Sequence, residues 1–159
     1  MHAGRDPGQA VADRYGPPRE TNVIIAQSGA ASIPAPVPGV VPMVLRYDSD
    51  DPYAVVLEFP DPAADEPGGG DAPVRWRVSR DLLLDGLAGP AGAGDIRLAP
   101  RDGRYTEVEF HNRNGSALVQ VETTELRAFL GATADAVRPG EEQVALPDTL
   151  EDFLRMTGA

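Results

Sequence analysis

Between Ile96 and Val121 the chain reads IRLAPRDGRYTEVEFHNRNGSALVQV, three runs of alternating character separated by Asp102-Gly103 and Asn114-Gly115. Glycine reaches positive φ without steric cost, and Asp and Asn tolerate that region better than most side chains. Such pairs therefore favour the mirror-image turns whose twist matches that of two paired strands. The pattern predicts an antiparallel three-stranded meander over residues 96–100, 105–111 and 116–121. Whatever else forms must pack on that sheet.

A second hairpin is legible upstream. VPMVLRY and YAVVLEF flank the polar connection DSDDP, and Val55, Leu57 and Phe59 alternate with Val56 and Glu58 so that one face is apolar. In PVRWRVS, Val74, Trp76 and Val78 point to one side and Arg75 and Arg77 to the other, with Trp76 as the expected core anchor. Before the hairpin, NVIIA can form a short strand, but Pro34, Pro36, Pro38 and Pro42 interrupt regular pairing, which predicts an edge or crossing segment. PDPAADEPGGGDAP, residues 60–73, is a surface loop by composition.

Three segments carry helical spacing. SRDLLLDGL places Ser79 or Arg80 at a start, Leu82, Leu83, Leu84 and Leu87 on an apolar side, and Gly86 or Gly89 at the end. TTELRAFLGATADAV offers a Thr cap at 123 or 124 and Leu126, Phe129, Leu130, Thr133 and Val137 as one stripe, closed by Pro139-Gly140. PDTLEDFLRMT has Asp148 and Glu151 at capping-box spacing, followed by Leu150, Phe153 and Leu154. Strands followed by segregated helices give an α+β chain. Residues 1–20 are polar and aperiodic and are expected to form a disordered tail, followed by a folded domain over 21–142 and an extension over 143–159 with a short amphipathic helix.

Charge narrows the partners. The chain carries 14 Arg, no Lys and 25 acids, a formal net charge of −11. Residues 41–140 hold ten Arg against seventeen acids, and 141–159 hold five acids against Arg155 alone. Such a surface repels a phosphate backbone, so nucleic acid is not an expected partner. With no Cys there is no thiolate metal site, Cys nucleophile or disulfide. The first twenty residues contain no apolar signal core and no run is long enough to span a bilayer, which predicts a cytoplasmic protein.

No catalytic, cofactor or metal residue is assigned. Counting a calcium loop from Asp48 places Tyr53 and Phe59 where Gly and a carboxylate are required. Asp48, Asp50 and Asp51 then read as a strand corner, since a general acid or base at Tyr47, Asp51 or Tyr53 would lack a neighbouring nucleophile or metal. His111, at a strand end with no second ordered His, is a surface residue. GLAGPAGAGD runs from helix to strand, the reverse of a phosphate-binding loop, and Asn114-Gly115-Ser116 is a turn. Arg75 and Arg77 either pair with strand acids such as Glu58, Glu107 and Glu109 or face a protein partner, because Arg is enriched at interfaces. The stripe Leu150, Phe153 and Leu154 packs on its own chain or on a partner.

Taken in order, LRYDSDDPYAVVLEF, VRWRVSRDLLLDGL, PAGAGDIRLAP and LRAFLGATADAVRPGEE resemble the SsgA-like family of actinomycete sporulation and cell-division regulators over about residues 40–142. The all-Arg composition agrees with such a host. The resemblance implies a Whirly-like fold, with two antiparallel sheets packed crosswise, a short helix between the halves and C-terminal helices, assembled as a homotrimer. It implies a non-enzymatic protein that governs septum formation during sporulation, in part by bringing the tubulin-like division protein to the septal site. DPYAV is then a structural signature at a strand entrance. Partner contacts are expected at Arg75, Arg77, Leu150, Phe153 and Leu154. The alternative that the fold type raises is single-stranded nucleic-acid binding.

Overall fold

A computed structural model describes residues 22–61, 63 and 66–143. The N-terminal segment 1–20 and the capped segment 148–157, with Leu150, Phe153 and Leu154, lie outside the described residues.

Eight strands and two helices follow in the order β1 (Ile24–Ile33), β2 (Gly39–Asp48), β3 (Ala54–Phe59), β4 (Val74–Ser79), α1 (Arg80–Ala88), β5 (Ala91–Ala93), β6 (Ile96–Arg101), β7 (Tyr105–Asn112), β8 (Gly115–Glu122) and α2 (Thr123–Ala136). All ladders are antiparallel, and the strand order is β4-β3-β2-β1-β8-β7-β6-β5. The middle of that order is thin, because the β1–β8 ladder pairs at one position, Ser32 opposite Gln120. Two four-stranded halves therefore share one narrow junction.

The halves fold onto each other. A flat sheet would hold β4 and β7 about 24 Å apart, five strand spacings of roughly 4.8 Å. Yet the rings of Trp76 on β4 and Phe110 on β7 lie 4.7 Å apart, and Phe59 meets Phe110 edge-on at 6.1 Å. A common core results, with Leu45, Leu57 and Val78 from one half and Leu98, Val108 and Val121 from the other. Each half alone would leave an apolar face in water, and burying it supplies roughly 25 cal/mol per Å².

The meander forms as its turn residues predict, with one shift of register. Asp102 and Gly103 both have positive φ, 52° and 67°, as the mirror-image turn requires. At the second turn Asn112 pairs with Gly115, so the loop is Arg113-Asn114 rather than Asn114-Gly115. The Asn112 side chain accepts the Asn114 N–H at 2.8 Å, a local bond that competes with the backbone turn.

The first strand is longer and more central than its prolines imply. It pairs with β2 from Ile24↔Asp48 to Ile33↔Gly39, and Pro42 sits opposite Ala30. The β2–β3 ladder begins only at Val44, which leaves Pro42 with a strand on one side alone, the position a residue without an N–H can occupy. The three-residue β5, with no apolar periodicity, had no signal in the sequence and forms by pairing with β6.

Both helices cover the sheet. The Ser79 hydroxyl accepts the Leu82 N–H and caps α1, while Gly89 closes it by donating to Asp85. Gly86 is not a terminator but a contact point, since a Cβ there would stand 2.7 Å from Leu98 Cβ on β6. Along α2, Leu126, Phe129, Leu130 and Thr133 are buried as their spacing predicts. The cap differs from expectation: Glu122 is the N-cap residue and makes no side-chain cap bond, while the Thr123 hydroxyl bonds Thr106 at 2.9 Å. The chain passes from β8 into α2 without a turn, so Thr123 is already helical.

Candidate interaction surfaces

The acidic corner of the β2–β3 connection is engaged in turn formation. Asp48 Oδ1 accepts the Asp50 N–H at 2.8 Å, and the Asp48 carbonyl accepts the Asp51 N–H at 3.0 Å. Asp51 uses both carboxylate oxygens on Arg77, at 3.0 and 2.6 Å. Among the described residues no group of three His, Asp or Glu side chains could hold a metal ion.

Arg75 and Arg77 stand on the outer face of β4, away from the core. Arg75 lies directly opposite Glu58 in the ladder and donates to it at 2.7 Å, while Arg46 reaches the same carboxylate at 3.3 Å. Arg75 first, and Arg46 after it, hold the Glu58 carboxyl below its ordinary range against the opposing effect of burial. The ion-paired reading of both arginines describes their geometry, and three guanidiniums facing two carboxylates leave little free positive charge on this face.

One residue outside the sequence expectations organises the opposite end. Arg80, whose side chain is 1% exposed, donates through Nη1 to the carbonyls of Val137 at 2.6 Å and Thr133 at 3.2 Å and to the Tyr47 hydroxyl at 3.3 Å. Its Nη2 meets Glu142 at 2.7 Å. The guanidinium thus caps the C-terminus of α2, where a cation is favoured by unpaired carbonyls and the helix dipole. Arg80 together with the backbone N–H groups of Glu142 and Gly140 keeps the Glu142 carboxyl low in pKa. The only hint in the sequence is that an Arg at a helix start opposes that helix's own dipole, which calls for another partner.

Where the two halves meet at the far end of β3, an open groove of about 460 Å³ remains. Its walls include Ile33, Val41, Phe59, Val74, Trp76 and Phe110. Trp76 is half-buried rather than sealed in the core, and Val74 is 56% exposed. Asp61 and Asp71 stand at the rim, with Asp61 accepting the N–H groups of Ala63 and Asp71 at 2.9 and 2.7 Å.

The described residues thus make an α+β protein of a folded-over antiparallel sheet under two helices, in which the buried ionic groups hold elements together and the features open to solvent are surfaces. The chain belongs to the SsgA family: the family described as "Streptomyces sporulation and cell division protein, SsgA" matches residues 41–142. The sporulation-specific cell division protein SsgB of Saccharopolyspora erythraea is 35% identical over 130 residues, which cover 79% of this chain and 87% of that one. SsgB of Streptomyces coelicolor is 35% identical over 126 residues, 77% of this chain and 82% of the relative. A structure solved in connection with SsgB mutations that correlate to longitudinal cell division during sporulation of S. coelicolor superposes with a TM-score of 0.64 at 32% identity, covering 76% of this chain and 94% of that one. The SsgA-like sporulation-specific cell division protein of Thermobifida fusca gives 0.63 at 27% identity, covering 86% and 93%. The relatives place the chain in sporulation-specific cell division. Among the described residues no helix is long and apolar enough to cross a membrane.

Proposed function

We propose that the protein is a non-enzymatic regulator that positions or activates the septum during sporulation, working in the cytoplasm at the division site by binding other proteins, among them the tubulin-like division protein. The observation that carries this reading is that the family match over 41–142 takes in most of β2, β3 to β8 and both helices, all of the described scaffold except β1 and the connection after it. The two half-sheets facing each other across a shared core support a Whirly-type crosswise packing, and we assign the protein a homotrimeric state. Its partner contacts fall on the outer face around Arg75 and Arg77 and on Leu150, Phe153 and Leu154 of the terminal segment. The pairing of Arg75 with Glu58 and of Arg77 with Asp51 favours a protein over single-stranded nucleic acid, because two carboxylates already offset most of the positive charge that would track a phosphate backbone.

The test is affinity capture with the tagged full chain from sporulating cells, alongside light scattering before and after deletion of residues 143–159. Recovery of septal division proteins and a trimeric mass support the reading. Capture that recovers none of them overturns the septation role, and a monomer in both forms overturns the assembly.

A further inference from the structure

We propose that the groove between the two half-sheets docks an apolar peptide segment flanked by basic residues, contributed by a partner protein. The inference deepens the reading above and rests on it, in that it names a surface and the chemistry of what fits there. Three observations converge on this occupant.

The groove is apolar and partly open to solvent. Phe59, Trp76 and Phe110 form an aromatic wall, and Val74 and Val41 extend it toward solvent. Aromatic side chains that keep one edge exposed are the anchors on which peptide-binding surfaces rely. Its volume of about 460 Å³ accommodates two or three side chains.

Its rim has one sign of charge. Among the described residues lining the groove the charged side chains are Asp61 and Asp71, with no cation. The N–H groups of Ala63 and Asp71 hold the Asp61 carboxyl low in pKa, so it stays ionised at neutral pH. The loop of residues 60–73 carries four acids and no base. Low-dielectric walls beside such a rim focus its field on an incoming cation.

The terminal extension and a second copy fit poorly. The terminal extension 141–159 has five acids against Arg155, so it meets the acidic rim with the same sign. It also leaves from the other end of β3, where the Tyr53 hydroxyl contacts the Glu142 carbonyl at 3.4 Å and Arg80 holds the Glu142 side chain. A second copy of the chain brings a net charge of −11 to the same rim, so the trimer contacts proposed above fall on other surfaces. A basic partner segment is the occupant with complementary charge.

Trp76 is the sole tryptophan, so its emission reports on the groove directly. A synthetic peptide of two leucines and one phenylalanine with two arginines at each end is titrated into the full chain at low salt, and the same peptide with glutamates for arginines serves as control. The arginine peptide should shift Trp76 emission saturably and weaken about tenfold on the double substitution Asp61→Asn and Asp71→Asn, with most of its advantage lost near 0.5 M salt, where the screening length is only about 4 Å. Equal binding of the glutamate peptide, or no response to either, overturns the proposal. So does a change in Trp76 emission on deleting residues 144–159 alone, which would place the chain's own segment in the groove, or an emission change that follows dissociation on dilution, which would place a second copy there. None of these results depends on recovery of septal proteins, so the binding chemistry and the division role fail separately.

Discussion

Substituting Gly86→Ala in α1 and Gly131→Ala in α2 makes the same chemical change in two helices with opposite surroundings. Added to a free helix, the methyl group removes backbone entropy from the unfolded chain and stabilises by about 0.5–1 kcal/mol. At Gly131 a Cβ meets nothing within 4 Å, so that gain should appear undiminished. At Gly86 the Cβ would lie 2.7 Å from Leu98 Cβ and 3.0 Å from Leu98 Cδ2, and a Cβ cannot swing aside as a side-chain tip can. Relief requires α1 to lift from β6 by close to an ångström, and overpacking of this kind costs about 1–3 kcal/mol. Subtracting the propensity gain leaves Gly86→Ala destabilising by up to about 2.5 kcal/mol, while the two variants differ by about 1–3 kcal/mol. Thermal unfolding followed by circular dichroism should place Gly131→Ala a few degrees above the parent chain and Gly86→Ala below it. Equal shifts in the two variants would refute the close approach of α1 to β6 and with it the packing described for that half.

Three further outcomes follow from the same contacts. Arg80→Ala removes the cap of α2 and leaves the Glu142 carboxylate without its cation, which should cost about 3–5 kcal/mol in urea unfolding; loss of less than 1 kcal/mol would show that the clasp is ornamental. Glu58 and Glu142 have folded-state pKa values below their unfolded ones, so the unfolded chain binds more protons in acid, and their contribution is complete above the ordinary carboxylate range and lost as pH falls through the folded values. Melting from pH 7 to pH 3 should therefore show a steeper acid decline for the parent than for Glu58→Gln, and parallel curves would contradict the sign. Phe129→Ala, at a fully buried α2 position, should lower stability by about 3–5 kcal/mol, measured by the same urea titration, and a smaller loss would mean that α2 is not seated on the sheet.

Turn chemistry and side-chain period are local, and they were legible. Asp102-Gly103 predicted its hairpin because few other pairs accept two successive positive φ values, and the stripe Leu126, Phe129, Leu130 and Thr133 predicted the buried side of α2. The pairing of Arg75 with Glu58 was also within reach, since adjacent antiparallel strands bring outer-face residues together in register. Where local signals competed, they misplaced details: Asn112 captured its own turn and moved the loop by one residue, and Pro42 was compatible with a long β2 once β3 stopped short of it.

What the sequence by itself determined was the set of pieces: a hairpin, a meander and two amphipathic helices, each specified by residues within a few positions of one another. The tertiary structure alone decided how the pieces meet. The Ser32–Gln120 junction joins segments 88 residues apart, the ring of Trp76 finds Phe110 across four intervening strands, and Arg80 gathers Tyr47, Thr133, Val137 and Glu142. No local spacing encodes such contacts, because which apolar faces cover each other, and which buried cation then needs which carbonyls, is settled by the burial of the whole chain at once.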